Sequence, residues 1–331
     1  MVGVWIHQSV SFAPLSSCRS DSNCRGTLSA LLSPELQQRL LDAGVLESSA
    51  EASETPGSSE QAPYKSTLRV SNLYLPTLAR PLQSQSQSPL YFHSSFPTTA
   101  ADSVFFGPDT YLFLDFMSFE LPKLTFRSGS SAAAQPRCAI DVCCGSGAGA
   151  IHLARHYNSE VFDSNPVSVV GLDMNDAALD LAHVNATLAN CASSITFSSS
   201  DLFAAVAHRS DIDLVVTNPP YIATSAQDGP KYSDGGGQQG LGLPLRIVKE
   251  GLDVLAPGGY FLMYTGVAVA YNQPGRDALL EHLRELEAEG NVELVGYRVL
   301  MPDMFGEELS NEAYEDIGRI QLVGAVLRKL E

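Results

Sequence analysis

The stretch Asp141-Val-Cys-Cys-Gly145-Ser-Gly147-Ala-Gly149 lies where an apolar strand pattern at 138–143 gives way to a helical pattern at 147–157. Glycines at such a turn let the backbone approach a ligand closely. The free N–H groups at the start of the helix attract an anion. The stretch indicates a nucleotide-like cofactor, although a tight strand-to-helix turn without a ligand explains the glycines equally well.

Strand and helix patterns alternate on both sides of this turn. Strands are predicted at 138–143, 167–173, 194–198, 211–217, 259–265, 292–300 and 319–327, and helices at 147–157, 176–190, 244–256 and 275–289. Such alternation predicts an α/β fold, with a mostly parallel sheet covered by helices on both faces. No helix separates the last two strands, so we expect them to pair antiparallel at one edge.

Low-complexity segments at 48–63, 83–88 and 128–136 suggest the domain boundaries. We expect an N-terminal extension over 1–63, with one helix starting at Pro34 and a linker after it. Residues 64–130 would form a β-hairpin, from strands at 67–74 and 89–94, and a connecting segment. The main domain would span 131–331.

Composition narrows the function classes. The chain has 331 residues, 20 Lys and Arg against 37 Asp and Glu, and a net charge of −17, which disfavours nucleic acid as a partner. Six cysteines form no disulfide framework and none has zinc-site spacing, so we expect a reducing compartment and no metal. No apolar run or leader indicates a membrane, and we expect a cytoplasmic protein of undetermined oligomeric state.

Three acids follow successive strands, and ligands of open α/β sheets bind at those strand ends. Asp173 is suited to accept both hydroxyls of a ribose. Asp201 suits an adenine amine, with Leu202 and Phe203 beside the ring, although a simple turn acid is the better reading of Asp201 alone. Asp141 suits an ammonium or its water shell. Together they predict a cofactor that carries adenosine and a zwitterionic amino acid.

The tetrad Asn218-Pro219-Pro220-Tyr221 directly follows the strand at 211–217. The two prolines make a rigid extended turn and remove two backbone donors. The Asn218 amide oxygen and the Pro219 carbonyl can each accept a hydrogen bond, and Tyr221 offers a flat face. This corner indicates a clamp for a planar –NH₂ group; the alternative is a structural turn with a buried aromatic ring.

These residues, in this order, resemble the class I S-adenosylmethionine-dependent methyltransferases of the NPPY type. Within that group the sequence is most similar to the glutamine N5-methyltransferases of release factors and ribosomal proteins. The resemblance covers about 66–331 and is carried by Asp201 and by segments 104–110, 141–151, 169–186, 213–222 and 255–266.

The resemblance implies a seven-stranded Rossmann-like sheet of order 3-2-1-4-5-7-6 with a reversed seventh strand. It implies that Gly145 and Gly147 approach the methionine part of the cofactor, with Asp173 on the ribose and Asp201 on the adenine. The residues expected to hold S-adenosylmethionine are Thr110, Asp141, Gly145, Gly147, Asp173, Met174, Asp201, Leu202 and Asn218. Those expected to act on the substrate nitrogen are Asn218, Pro219 and Tyr221.

The methyl acceptor stays open. A protein glutamine follows from the resemblance, a small metabolite is the alternative, and an inactive cofactor-binding subunit is a third reading. Cys143 motivates the third, because it stands where the family usually has glycine. Asp303, Glu307 and Glu308 predict a solvated acidic loop, although a cationic substrate could dock there. The tripeptide at 236–238, Gly-Gly-Gln, is interpreted as part of a flexible lid.

Overall fold

The computed structural model describes residues 34–48, 64–72, 89–95, 100–126, 135–158, 166–223 and 234–330. The predicted low-complexity segments at 48–63, 83–88 and 128–136 lie almost wholly outside these ranges. The proposed domain boundaries therefore stay predictions.

Short elements precede the main sheet. In chain order they are α1 (Pro34–Asp42), β1 (Leu46–Ser48), β2 (Tyr64–Ser66), β3 (Leu68–Asn72), β4 (Leu90–Ser94) and α2 (Pro108–Glu120). The predicted helix at Pro34 is present, and β3 pairs antiparallel with β4 as the predicted hairpin. The antiparallel pair of β1 and β2 was not expected.

The main sheet has seven strands, which are β5 (Cys138–Val142), β6 (Ser168–Asp173), β7 (Ile195–Ser199), β8 (Ile212–Thr217), β9 (Leu255–Ala270), β10 (Val292–Met304) and β11 (Ile317–Lys329). Their spatial order is β7-β6-β5-β8-β9-β11-β10. The pairs from β7 to β9 are parallel, and β11 runs antiparallel to both β9 and β10. The predicted order 3-2-1-4-5-7-6 with a reversed last strand is confirmed.

Four helices connect the strands, which are α3 (Ala148–Tyr157), α4 (Asp176–Leu188), α5 (Gly242–Val254) and α6 (Ala278–Ala288). Alternate side chains of β5 contribute to two hydrophobic clusters, one on each face of the sheet. Ala139 joins the cluster that includes α3, whereas Ile140 joins the cluster that includes α5 and α6. A sheet buried on both faces explains why its central strands are apolar throughout.

The helix α2 was not predicted from the sequence. It begins at Pro108, where Gly107 N donates to Thr110 Oγ1 at 3.3 Å. Phe116 packs against β11 so closely that a Cβ on Gly324 would lie 2.5 Å from its ring. Because α2 is apolar on most sides, its sequence lacks the one-sided periodicity that marks a surface helix.

Asn185 on α4 joins the hairpin to the main sheet. Its side chain accepts from Phe92 N at 2.7 Å and donates back to Phe92 O at 3.0 Å. The same amide nitrogen donates to Ser146 O, in the glycine-rich turn, at 2.9 Å. One fully buried side chain therefore holds β4 against the turn that borders the candidate site.

Within the described ranges, no helix has both the length and the apolar character that a membrane crossing needs.

Candidate active site

A cavity of about 720 Å³ opens at the carboxyl ends of β5, β6 and β8. Its walls bring together almost every residue that the sequence analysis selected. The lining includes Thr110, Asp141, Gly145, Asp173, Met174, Asp201, Leu202, Asn218, Pro219 and Tyr221. The volume falls in the range of small-molecule and cofactor sites.

Two predicted residues do not line this cavity. A Cβ on Gly147 would lie 2.9 Å from the Ala182 Cβ, and Gly147 has a φ of +82°, so packing against α4 and the backbone turn both require glycine there. Phe203, expected beside an adenine ring, lies instead in the hydrophobic cluster of α5 and α6. Direct contact between Gly147 and a cofactor stays a prediction.

Asp173 ends β6 and organises the glycine-rich turn. Gly145 N donates to its Oδ2 at 2.8 Å, and Asn175 N donates to its Oδ1 at 2.9 Å. Burial raises its pKa, which these backbone donors partly offset. The carboxylate keeps lone-pair capacity to accept a hydrogen bond from a hydroxyl. Gly145, at φ +50°, has open space where a Cβ would point, so the turn can accept a close ligand.

Asp141 lies beneath the same turn and is 1% exposed. Ala150 N, in the first turn of α3, donates to its Oδ2 at 2.7 Å. Burial raises its pKa to about 8, and the negative charge of Asp173 contributes in the same direction. A Cβ on Gly149 would lie 2.6 Å from Asp141 Oδ2, so the third glycine of the turn makes room for this carboxyl.

Cys143 lines the cavity in a left-handed backbone conformation, with φ +58°. Glycine adopts this region without steric cost, whereas other residues lose on the order of 1 kcal/mol. The structure thus explains why glycine would be favoured at this position. Burial raises the pKa of the Cys143 thiol well above its usual value, so the side chain is a neutral part of the wall.

Asp201 and Leu202 line the cavity just after the end of β7. The Asp201 side chain is 64% exposed, and its Oδ2 lies 3.2 Å from Arg246 Nη2. Leu202 is buried with φ +47°. Asp201 is therefore a carboxylate at the cavity mouth, held by an arginine but open to a ligand.

The Asn218–Tyr221 corner presents unpartnered polar atoms. Neither Asn218 Oδ1 nor Tyr221 Oη has a hydrogen-bond partner, although both atoms are buried. The Tyr221 ring contacts the rings of Tyr264 and Phe305, with centroids 6.4 Å and 6.0 Å away. Buried polar groups are normally paired, so Asn218 Oδ1 is available to accept a hydrogen bond from a ligand.

Asp109, in the first turn of α2, is a residue that the sequence analysis did not select. It is 6% exposed, lines the cavity, and has an Oδ1 atom with no hydrogen-bond partner. Burial raises its pKa to about 6, while hydrogen bonding with the Thr110 backbone opposes that shift. The sequence feature that could have indicated Asp109 is its place between Pro108 and Thr110. That segment entered the sequence analysis only as part of the family resemblance.

The segment 305–314, between β10 and β11, is attached to the end of the corner. Tyr314 Oη accepts from Ala223 N at 2.7 Å, and Asn311 Nδ2 donates to Ala223 O at 3.0 Å. Phe305, Glu307 and Glu308 of this segment line the cavity. The predicted acidic loop therefore contributes two of its three acids to the site, and Asp303 lies outside the lining.

Comparison with known proteins agrees with this geometry. Residues 127–239, about a third of the chain, match the family model described as N-6 DNA Methylase. This match includes the strands from β5 to β8. The resemblance to class I N-methyltransferases is thereby confirmed.

Three curated relatives are similar to part of this chain. A release factor glutamine methyltransferase of Koribacter versatilis is 30% identical over 140 residues, covering 40% of this chain and 47% of the relative. A ribosomal protein uL3 glutamine methyltransferase of Xanthomonas campestris pv. campestris is 34% identical over 136 residues, covering 39% and 41%.

The third relative is a 4-amino-L-phenylalanine/4-methylamino-L-phenylalanine methyltransferase of Streptomyces pristinaespiralis. It is 33% identical over 135 residues, covering 38% of this chain and 43% of the relative. The alignments thus span less than half the length of each of these relatives. Two of these relatives are named for a protein acceptor, and the third is named for a small-molecule acceptor.

Among the described side chains, no group of His, Cys, Asp and Glu is arranged to hold a metal ion.

Proposed function

We propose that this chain is an S-adenosylmethionine-dependent N-methyltransferase acting on a planar amide or amine nitrogen. The observation that carries the proposal is the unpartnered Asn218 Oδ1, in a cavity that the carboxylates Asp141 and Asp173 also line. The part of the cavity beside Asp141 and Asp173 suits the adenosyl sulfonium of the cofactor. The part beside Asn218 suits an acceptor nitrogen that carries N–H donors.

The residues present fit the cofactor. Asp173 keeps acceptor capacity for ribose hydroxyls, and the open side of Gly145 leaves room for the methionine part. Asp141 supplies a carboxyl beside the cationic portion. When bound, S-adenosylmethionine supplies an activated methyl group on its sulfonium.

The Asn218–Tyr221 corner would orient the acceptor. Asn218 Oδ1 and the Pro219 carbonyl accept the two N–H groups of a planar nitrogen, which fixes its plane and directs its lone pair toward the methyl group. The Tyr221 ring limits the position of the acceptor nitrogen from one side. No separate base is required before transfer, because the methylated nitrogen is strongly acidic and then loses its proton.

Two acceptors are compatible with this chemistry. A protein glutamine is favoured, since two relatives that are similar to this chain are named for glutamine methylation. A small molecule with an aromatic amine is the second candidate, supported by the relative named for 4-amino-L-phenylalanine. The description of the matching family model names DNA, but the net charge of −17 opposes a nucleic-acid acceptor.

Calorimetry with S-adenosylmethionine and transfer of a tritiated methyl group test the proposal. The acceptors are Gly-Gly-Gln peptides and a cell extract split into protein and small-molecule fractions. We expect cofactor binding and labelling of one fraction. Binding without any labelled acceptor would support an inactive cofactor-binding subunit instead.

The role of Asn218 has its own test. We expect Asn218→Ala to lower kcat by about 10²-fold while the cofactor Kd stays nearly constant, because one oriented acceptor is lost. Asn291→Ala, at an exposed position outside the cavity, is the matched control. Unchanged turnover of Asn218→Ala would contradict the proposed clamp.

A further inference from the structure

The cavity has an acidic and aromatic rim formed by Phe305, Glu307 and Glu308. Glu307 and Glu308 lie in a short 3-10 helix, Gly306–Ser310, which follows Phe305 directly. Phe305 contacts Tyr221, with ring centroids 6.0 Å apart. A flat ring beside two carboxylates is an arrangement that binds cations.

This rim belongs to the acceptor part of the cavity. Tyr314 and Asn311, from the same segment, bond the backbone of Ala223, two residues beyond Tyr221. The rim is thus tied to the corner that would clamp the acceptor nitrogen. The carboxylates expected to serve the cofactor, Asp141 and Asp173, come instead from the ends of β5 and β6.

No described basic side chain in the lining neutralises the rim. Seven acidic side chains line the cavity, namely Asp109, Asp141, Asp173, Asp201, Asp234, Glu307 and Glu308. Arg246 is the one lysine or arginine among the described lining residues, and its guanidinium is bonded to Asp201 and Glu250. The positive charge that balances Glu307 and Glu308 is therefore expected to come with a ligand.

A second observation comes from deeper in the same cavity. Asp109 is 6% exposed and Tyr221 is 5% exposed, and both line the cavity with unpartnered oxygens, Asp109 Oδ1 and Tyr221 Oη. An ionised carboxylate can only accept hydrogen bonds. An N–H or O–H donor on an occupant suits Asp109 Oδ1, and a donor with positive charge suits a carboxylate best.

We propose that the methyl acceptor carries a cationic group close to the methylated nitrogen, and that Glu307 and Glu308 bind this group beside Phe305. The inference rests on the proposed N-methyltransferase function and specifies its acceptor. The group is an ammonium or guanidinium, either on a basic side chain near the modified residue of a peptide or on an amino metabolite. The two acceptor fractions of the extract distinguish these sources.

The test compares wild type, the double variant Glu307→Gln/Glu308→Gln, and the control Glu315→Gln. Glu315 lies in the same connection between β10 and β11 but is exposed and outside the cavity lining. Tritiated methyl transfer to each extract fraction gives an apparent kcat/KM, measured at low and high salt. Calorimetry gives the S-adenosylmethionine Kd of every variant.

We expect the double variant to lose about tenfold in apparent kcat/KM, mainly through KM, and to lose most of the salt dependence of the wild type. The cofactor Kd should stay within about twofold, and Glu315→Gln should behave as wild type. Labelled small molecules, or labelled peptides released by chymotrypsin, should bind a cation exchanger at pH 7.

Any of three results would overturn the inference. The first is equal acceptor kinetics in the double variant and the wild type, and the second is a loss confined to cofactor affinity. The third is label that passes through the cation exchanger. Failure of the proposed function is distinguishable from these. In that case wild type binds no S-adenosylmethionine or labels neither fraction, and this inference fails with it.

Discussion

Replacing Asp141 by Asn tests the electrostatics of the glycine-rich turn. Asp141 is 1% exposed, and its Oδ2 accepts a hydrogen bond from Ala150 N at 2.7 Å. The amide oxygen of Asn can accept the same hydrogen bond, so the substitution removes the titration while it conserves shape. The difference between the two proteins then isolates the contribution of this carboxyl.

The magnitude follows from the pKa. In the folded protein burial raises the pKa of Asp141 from 3.8 to about 8, so between these values folding takes up a proton. Stability from this group is fully present below the unfolded pKa and is lost as pH rises toward the folded value. Each pH unit costs about 1.4 kcal/mol, so the wild type loses on the order of 4 kcal/mol between pH 5 and pH 8.

Urea unfolding at pH 5, 6, 7 and 8 measures this effect. The free energy of unfolding of Asp141→Asn minus that of wild type should rise steadily across the series and level off above about pH 8. Subtraction removes other titrating groups that are far from the site. Parallel curves for the two proteins would refute the reasoning, because they would show that Asp141 ionises alike in the folded and unfolded states.

Three further substitutions probe the structure around the site. Gly149→Ala places a Cβ 2.6 Å from the Asp141 carboxyl oxygen and should lower the free energy of unfolding in urea by about 1–3 kcal/mol. Gly275→Ala is the control, because a Cβ there meets open space and should change stability little. Equal effects of the two substitutions would contradict the packing argument. Cys143→Gly removes a side chain that lines the cavity and should tighten the S-adenosylmethionine Kd severalfold by calorimetry, because the cofactor gains room; weaker binding would speak against it. Tyr314→Phe leaves the buried Ala223 N–H unpaired and should lower unfolding free energy by about 1–3 kcal/mol; an unchanged urea midpoint would disprove that anchor.

The sheet was readable from the sequence because its signals are local. Apolar runs of strand length, each followed by a helical pattern, specify parallel pairing without reference to distant contacts. The same is true of Asp173 and Asn218, which were selected as residues at strand ends. Since parallel strands share one carboxyl edge, these side chains line one cavity in the structure.

Other features depend on contacts between distant parts of the chain. Helix α2 has no amphipathic pattern because apolar residues occupy most of its positions, including the half-exposed Phe119. Only the folded structure shows that it brings Asp109 to Asn218. Likewise, Glu307 and Glu308 lie far beyond the corner in sequence, and the bonds from Tyr314 and Asn311 to Ala223 attach their segment to it.

The sequence by itself therefore determined the alternation of strands and helices, the glycine-rich turn and the rigid Asn218–Tyr221 corner, because periodicity, glycine and proline act on the backbone over a few residues. The strand order followed from the family resemblance. The tertiary structure decided which glycines border the cavity and which permit packing, since Gly145 faces open space while Gly147 meets Ala182. It also decided which acids meet at the acceptor side, because burial and charge balance depend on neighbours that local patterns do not specify.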